Sequence, residues 1–199
     1  MFDDAFRARF QPAARPLVAW LAGAGVTPIA VTLTSFVVAL FGAITVATLD
    51  PRAGVVVWLI SRVGDGLDGA LARFTGLDSA FGGFLDITLD MAAYSAMVIA
   101  FGIAYPEFAI AWMAVLAGYV IVITTTLALS DAARAAGARV SATDRTFQFT
   151  RGITEAGETN LTYVIWAFVP ASLPWAIWLW AVALLVTSVQ RTIVARRAL

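Results

Sequence analysis

The chain has 199 residues, 61% of them hydrophobic and only 13% charged, with a mean hydropathy of +0.86 and a formal net charge of zero. This composition excludes an ordinary soluble domain, whose core needs far less apolar surface, and nothing in the charge suggests a nucleic-acid partner. Cysteine and histidine are absent and all 13 basic residues are arginines, which excludes disulfides, thiol chemistry and most zinc sites.

Residues 1–24 hold acids at Asp3 and Asp4, scattered arginines and no continuous apolar run, so they do not read as a cleavable signal peptide. They predict an interfacial amphipathic helix, anchored by Phe2, Phe6, Phe10, Leu17 and Trp20. Six spans follow, over residues 29–49, 53–74, 80–105, 108–130, 153–171 and 174–190. The first and fourth carry no charge, and at about 1.5 Å per residue each crosses a hydrocarbon core of roughly 30 Å. Asp50-Pro51-Arg52, Tyr105-Pro106-Glu107 and Pro170 to Pro174 form short, helix-breaking outer turns. With the N-terminus inside, Arg7, Arg9, Arg15, Arg73, Arg134, Arg139, Arg145, Arg151, Arg191, Arg196 and Arg197 fall on the cytoplasmic side and only Arg52 outside. The expected fold is an all-α integral membrane protein, six transmembrane helices preceded by an N-terminal interfacial helix. It forms one domain over residues 1–199, with the bundle over 28–190. The expected location is a bacterial cytoplasmic (inner) membrane, with both termini inside.

The second and third spans carry the chemistry. Asp65, Asp68, Gly69, Ala72, Arg73, Gly82, Asp86 and Asp90 spell D-x2-D-G-x2-A-R-x8-G-x3-D-x3-D. At about 5–8% per residue type, eight fixed positions match by chance far less often than about one in a million. The spacing of three and four residues places 65, 68, 69 and 72 on one face of the second span, and 82, 86 and 90 on one face of the third. A short turn near Gly76 makes the two helices antiparallel, so the faces meet near the cytoplasmic interface. Four carboxylates against Arg62 and Arg73 leave net negative charge in apolar surroundings, and oxygen-only ligands select Mg²⁺ or Mn²⁺ to resolve it. Gly69, Ala72, Gly82 and Gly83 either let the helices pack closely or leave room for a ligand. Arg73 beside a carboxylate-held metal suits a pyrophosphate. Together these features point to a nucleotide diphosphate donor.

The stretch Asp65 to Asp90 resembles the signature of the CDP-alcohol phosphotransferase family at every fixed position, and Thr27-Pro28-Ile29-Ala30-Val31-Thr32 resembles, with Ile29 in place of a polar residue, the start of that family's first helix. The resemblance implies that Asp65, Asp68 and Asp86 hold a metal on the donor diphosphate, and that Asp90 is a catalytic general base or ligates a second metal. It implies that Gly69, Ala72, Arg73, Ser79 and Gly82 meet the CDP moiety, with the backbone of Ala30, Val31 and Thr32 closing over it. The implied reaction moves a phosphatidyl group from CDP-diacylglycerol to an alcohol acceptor with release of CMP, at a cytoplasmic site, in a homodimer embedded in membrane lipid. The family's inositol-phosphate branch often has arginine directly after the fourth aspartate, where this chain has Met91. Its glycerophosphate branch often has proline after the third, where this chain has Ile87.

Arg134, Arg151 and Arg191 stand nearest the helix ends and are candidates to bind a phosphorylated acceptor such as glycerol 3-phosphate or inositol phosphate. The same charges also satisfy the positive-inside bias or touch anionic lipid. Glu155 and Glu158 either recognise acceptor hydroxyls or an ammonium group, or pair with Arg151 and the positive end of the fifth span. Trp166, Trp175, Trp178 and Trp180 read as an outer-interface belt. Three other functions compete: an intramembrane prenyltransferase, which needs more spans and Asp motifs far apart in sequence, a divalent-cation transporter or channel, which leaves Arg73 beside the ion path unexplained, and a phosphotransferase using a different CDP-linked donor.

Overall fold

The computed structural model describes residues 14–135 and 154–198, and the described residues contain helices and turns but no strand. The chain divides into two compact units, Met1–Pro106 and Glu107–Leu199.

In the first unit, helix α1 covers residues 14–23 and ends at Gly25, whose φ of 73° lets the amides of Gly25 and Val26 close back onto Ala22 and Leu21. Ala14 and Val18 bury against Leu67 and Leu71, while Leu17 and Trp20 stay 45% and 66% exposed. The other expected anchors, Phe2, Phe6 and Phe10, lie outside the described residues. Helix α2 (Pro28–Thr48) starts at Thr27, whose hydroxyl accepts from the Ala30 amide at 3.2 Å, with Pro28 preset for the first turn. Asp50 and Pro51 repeat this device for α3 (Pro51–Thr75), which stops at Gly76 in the left-handed region, φ 68°. Ser79 caps α4 (Ala80–Ala104) by accepting from the Gly82 amide at 3.0 Å. Pro106–Phe108 then forms a single 3₁₀ turn.

α2 is the spine of this unit. Both α3 and α4 pack along it, whereas the backbones of α3 and α4 barely approach each other. This corrects the expectation that the two acidic helices pack directly together. The physical reason lies in small residues placed on α2 and α3: a Cβ on Gly42 would sit 2.9 Å from the Gly54 carbonyl oxygen, and a Cβ on Gly64 would strike the Ser35 side chain. Backbone-to-backbone approach without side-chain bulk is how apolar helices associate where lipid removes the hydrophobic drive. α3 and α4 meet instead through long side chains, with the Trp58 and Tyr94 rings 5.2 Å apart. The result is a cleft between α3 and α4 with α2 at its back.

In the second unit, α5 (Ala109–Ala135) packs on α7 (Leu173–Ala198), with Gly118 pressed against Leu184. The short α6 (Ala156–Phe168) joins α7 through a 3₁₀ turn at Pro170–Ser172. Buried polar side chains tie this unit together. The hydroxyls of Tyr119 and Tyr163 lie 3.0 Å apart, and the Trp180 indole donates to Tyr119 at 3.2 Å. Trp180 is buried in this network, 7% exposed, and Trp166 is buried against the rings of Trp112 and Tyr163, 0% exposed, while Trp175 and Trp178 are exposed as a belt would require. Among the described residues, four segments are long and apolar enough to cross a membrane: Pro28–Thr48, Ala80–Ala104, Pro106–Ala135 and Pro170–Arg196.

Candidate active site

Three of the four motif aspartates converge. Carboxylate oxygens of Asp65 and Asp68 on α3 and of Asp86 on α4 all lie within 4.8 Å of one another. An octahedral cation with ligands at about 2.1 Å needs neighbouring oxygens about 3 Å apart and opposite ones about 4.2 Å apart, so small side-chain rotations close this trio onto an ion. An all-oxygen anionic set matches a hard divalent cation. The helical spacing explains the convergence, since Asp65 and Asp68 are one turn apart and Asp86 faces them across the cleft.

Asp68 is the most buried of the three, only 7% exposed. Its Oδ2 accepts from the Thr32 hydroxyl of α2 at 2.6 Å, and its Oδ1 accepts from the Gly69 amide. The same Oγ1 lies 3.1 Å from the Pro28 carbonyl, which shares its single proton as the weaker acceptor, so the first turn of α2 is tied to the acidic face of α3. Asp90 goes elsewhere: its Oδ1 accepts from Arg62 Nη1, and that same nitrogen stands 3.7 Å from Asp65. The motif alone does not distinguish Asp90 from its three neighbours, and neither Thr32's hold on Asp68 nor Arg62's on Asp90 was foreseen. The available signal was the position of Arg62 three residues before Asp65, one turn away on the same face.

The small residues line open space. A Cβ on Gly83 would meet nothing within 4 Å, one on Gly82 only the capping hydroxyl of Ser79, and one on Gly69 only the guanidinium of Arg73. None of these three glycines is pressed against the other acidic helix, so close packing of α3 on α4 does not account for them. Arg73 is exposed in the last turn of α3, one turn beyond Gly69, and Ala72 accepts the closing amide of Gly76. Ser79 serves as the α4 cap. Ala30 and Val31 border an apolar cavity of about 370 Å³, walled by Leu17, Val38, Ile60 and Leu67.

A family model for CDP-alcohol phosphatidyltransferase matches residues 25–194. The chain belongs to the CDP-alcohol phosphatidyltransferase family. It is 34% identical to Inner membrane protein YnjF of Escherichia coli (strain K12), over 86% of this chain and 84% of that one. It is 31% identical to the phosphatidylinositol phosphate synthase of Mycobacterium marinum, over 93% and 80% of the two chains. Crystal structures of the Mycobacterium tuberculosis phosphatidylinositol phosphate synthase superpose with a TM-score of 0.69 in complex with manganese and citrate, and 0.65 with CDP-DAG bound. Each is 27% identical and covers 90% of this chain, and they are matched over 87% and 92% of their own lengths.

This CDP-alcohol phosphatidyltransferase is therefore a multi-pass membrane enzyme of phospholipid biosynthesis, taking a CDP-linked lipid donor and an alcohol acceptor. Its cofactor is a divalent cation, Mg²⁺ or Mn²⁺, for which the carboxylate trio is the fitting site. The proposed acceptor arginines fall in the second unit. Arg134 is exposed near the end of α5, and Arg151 lies outside the described residues. Arg191 is 8% exposed, and its Nη1 donates to the Val122 carbonyl at 3.1 Å and to the Thr126 hydroxyl. The Nε of Arg191 and Oε2 of Glu158 are buried without a hydrogen-bond partner among the described residues. Glu155 caps α6 by position, without a side-chain bond to its amides.

Proposed function

We propose that this enzyme transfers the phosphatidyl group of CDP-diacylglycerol to a phosphorylated polyol, such as glycerol 3-phosphate or inositol phosphate. The observation that carries the reading is the meeting of Asp65, Asp68 and Asp86 in a cleft whose flanking glycines face open space. The names of the relatives support the acceptor class, and the CDP-DAG bound to the solved relative supports the donor. The reading takes residues 1–199 as one catalytic domain, a homodimer subunit with six spans and the site on the cytoplasmic side. What supports this is the family match across both units and the distribution of arginines.

In this reading the acceptor hydroxyl attacks the phosphorus that bears diacylglycerol. The new O–P bond forms as the bond to the CMP oxygen breaks, CMP leaves, and the hydroxyl proton passes to Asp90. A divalent cation held by Asp65, Asp68 and Asp86 would neutralise charge on the donor's diphosphate and on the phosphate of the departing CMP. Arg73 grips the diphosphate from the α3 terminus, and Gly69, Ala72, Ser79 and Gly82 border the nucleotide where a side chain would obstruct it. The cavity beside Ala30 and Val31 takes part of an acyl chain, supported by its apolar lining. Arg134, Arg151 and Arg191 meet the acceptor's phosphate, supported by their charge and by the buried Nε of Arg191, which has no hydrogen-bond partner among the described residues.

The test is CMP release from purified protein with CDP-diacylglycerol and Mg²⁺ or Mn²⁺, across glycerol 3-phosphate, inositol phosphate, inositol, serine and choline. Release with a phosphorylated polyol alone is expected. Release only with an unphosphorylated acceptor would refute the acceptor class. Silence with all of them, from protein that CDP and metal stabilise against heat, would refute the donor or acceptor assignment.

A further inference from the structure

Arg62 occupies no position of the family pattern, yet it is the side chain that reaches Asp90. Its guanidinium lies 4.4 Å from the Trp58 ring centroid and 5.6 Å from that of Tyr94. Both rings are buried, Trp58 at 0% and Tyr94 at 6% exposure, and the Arg62 side chain itself is 9% exposed. Its Nε donates to the Ser61 hydroxyl at 3.2 Å. A cation walled by two aromatic faces in a desolvated site is held electrostatically and sterically. It is therefore a fixed part of the cleft, unlike a mobile surface arginine.

The carboxylates divide accordingly. Asp65, Asp68 and Asp86 gather within reach of one ion, and Asp90 is not a member of that group. A second divalent ion in such a site would need Asp90 as a ligand and would sit about 3.5–4 Å from the first. Arg62 already occupies Asp90 Oδ1, so a second dication would meet both its bulk and its charge. We infer that Arg62 takes the place of a second metal ion beside Asp90, so that this chain binds one divalent cation and supplies the other positive charge itself. This rests on the reading of the aspartate trio as the metal site. Arg62 is then a positioning residue: it fixes the Asp90 carboxylate through Oδ1 and leaves Oδ2 to take the acceptor proton.

The experiment is Mn²⁺ binding to the purified full chain in detergent, with and without CDP, counted by equilibrium dialysis and read by electron paramagnetic resonance. The wild type is expected to bind one Mn²⁺ per chain, with no spectrum of a coupled pair. Arg62→Ala is expected to admit a second, dipolar-coupled Mn²⁺ that the added change Asp90→Asn removes, and Arg62→Lys is expected to keep the count at one. Asp90→Asn alone is expected to leave the count at one and the affinity within about threefold, whereas loss of a true ligand or its support costs about tenfold or more. A coupled pair in the wild type, a tenfold weaker site in Asp90→Asn, or an Arg62→Ala protein that binds the first ion normally and never a second would each overturn the inference. Should Arg62→Ala fail to fold, the Asp90→Asn titration still decides. Wild-type protein that binds no Mn²⁺ would overturn the trio itself, an outcome distinct from a count of two.

Discussion

Thr32→Val removes one hydroxyl at nearly constant shape and tests whether α2 organises the metal site. The Thr32–Asp68 bond is 2.6 Å long, between two side chains each 7% exposed, and has the short length of a hydroxyl donating to an ionised carboxylate. Hydrogen bonds to charged groups contribute about 1.5–3 kcal/mol, and each 1.4 kcal/mol is about tenfold in an equilibrium constant. The Gly69 amide still holds Asp68 Oδ1 after the change, so half of the anchorage survives. The expected loss is therefore at the lower end of the range for partners that orient metal ligands, about tenfold in Mn²⁺ affinity. Titration of bound Mn²⁺ by paramagnetic resonance measures it, with the metal dependence of CMP release as a second readout. Thr32→Ser keeps the donor and should restore binding to within about threefold, while Thr34→Val, whose hydroxyl donates to the Ala30 carbonyl of its own helix, should change nothing. Unaltered Mn²⁺ affinity in Thr32→Val, or a Ser variant as poor as Val, would refute the reasoning.

Asp90→Asn should lower kcat by about 10²–10⁴, the usual worth of a positioned general base, yet keep the thermal stabilisation by CDP and metal; wild-type turnover would remove Asp90 from the proton transfer. Arg73→Ala should raise the KM for the CDP-linked donor by about tenfold or more, as expected for a lost charge-assisted phosphate contact, and an unchanged donor KM would discount the diphosphate grip. Gly83→Leu should fold at least as well as the parent, because its Cβ meets nothing within 4 Å and leucine gains up to about 1 kcal/mol of helix propensity over glycine. Its donor KM should nevertheless rise, and kinetics indistinguishable from the parent would show that the open face of α4 receives no ligand.

Much of the site was legible in the sequence because its chemistry is written at helical spacing. Asp65 and Asp68 lie one turn apart, Asp86 lies a turn before Asp90, and the Gly76 turn is too short to separate the two helices, so convergence of carboxylates followed from the pattern. The helix limits were equally local: Thr27, Asp50 and Ser79 cap, and Pro51, Pro106 and Pro170 mark starts and breaks. What was hidden depends on contacts between segments. Gly42, Gly54 and Gly64 sit on two different helices, and no spacing rule says that they face α2 against α3 and leave α4 standing across a cleft. The N-terminal helix shows the same limit, since its apolar residues divide between α3 and the outside in a way that composition does not reveal.

The placement of α2 changes what the motif means. In a pair of directly packed helices, four aspartates would be equivalent neighbours in one anionic cluster, and glycines between them would serve packing. With α2 behind, Thr32 reaches forward to hold Asp68, the glycines of α3 and α4 open onto the cleft, and Trp58 and Tyr94 bridge the two helices with Arg62 stacked against them. The same aromatic contact that bridges α3 and α4 also holds a fixed cation at the fourth aspartate. The cleft, the trio and the separate fate of Asp90 are thus consequences of one arrangement: two acidic helices hung on a third that carries the small residues.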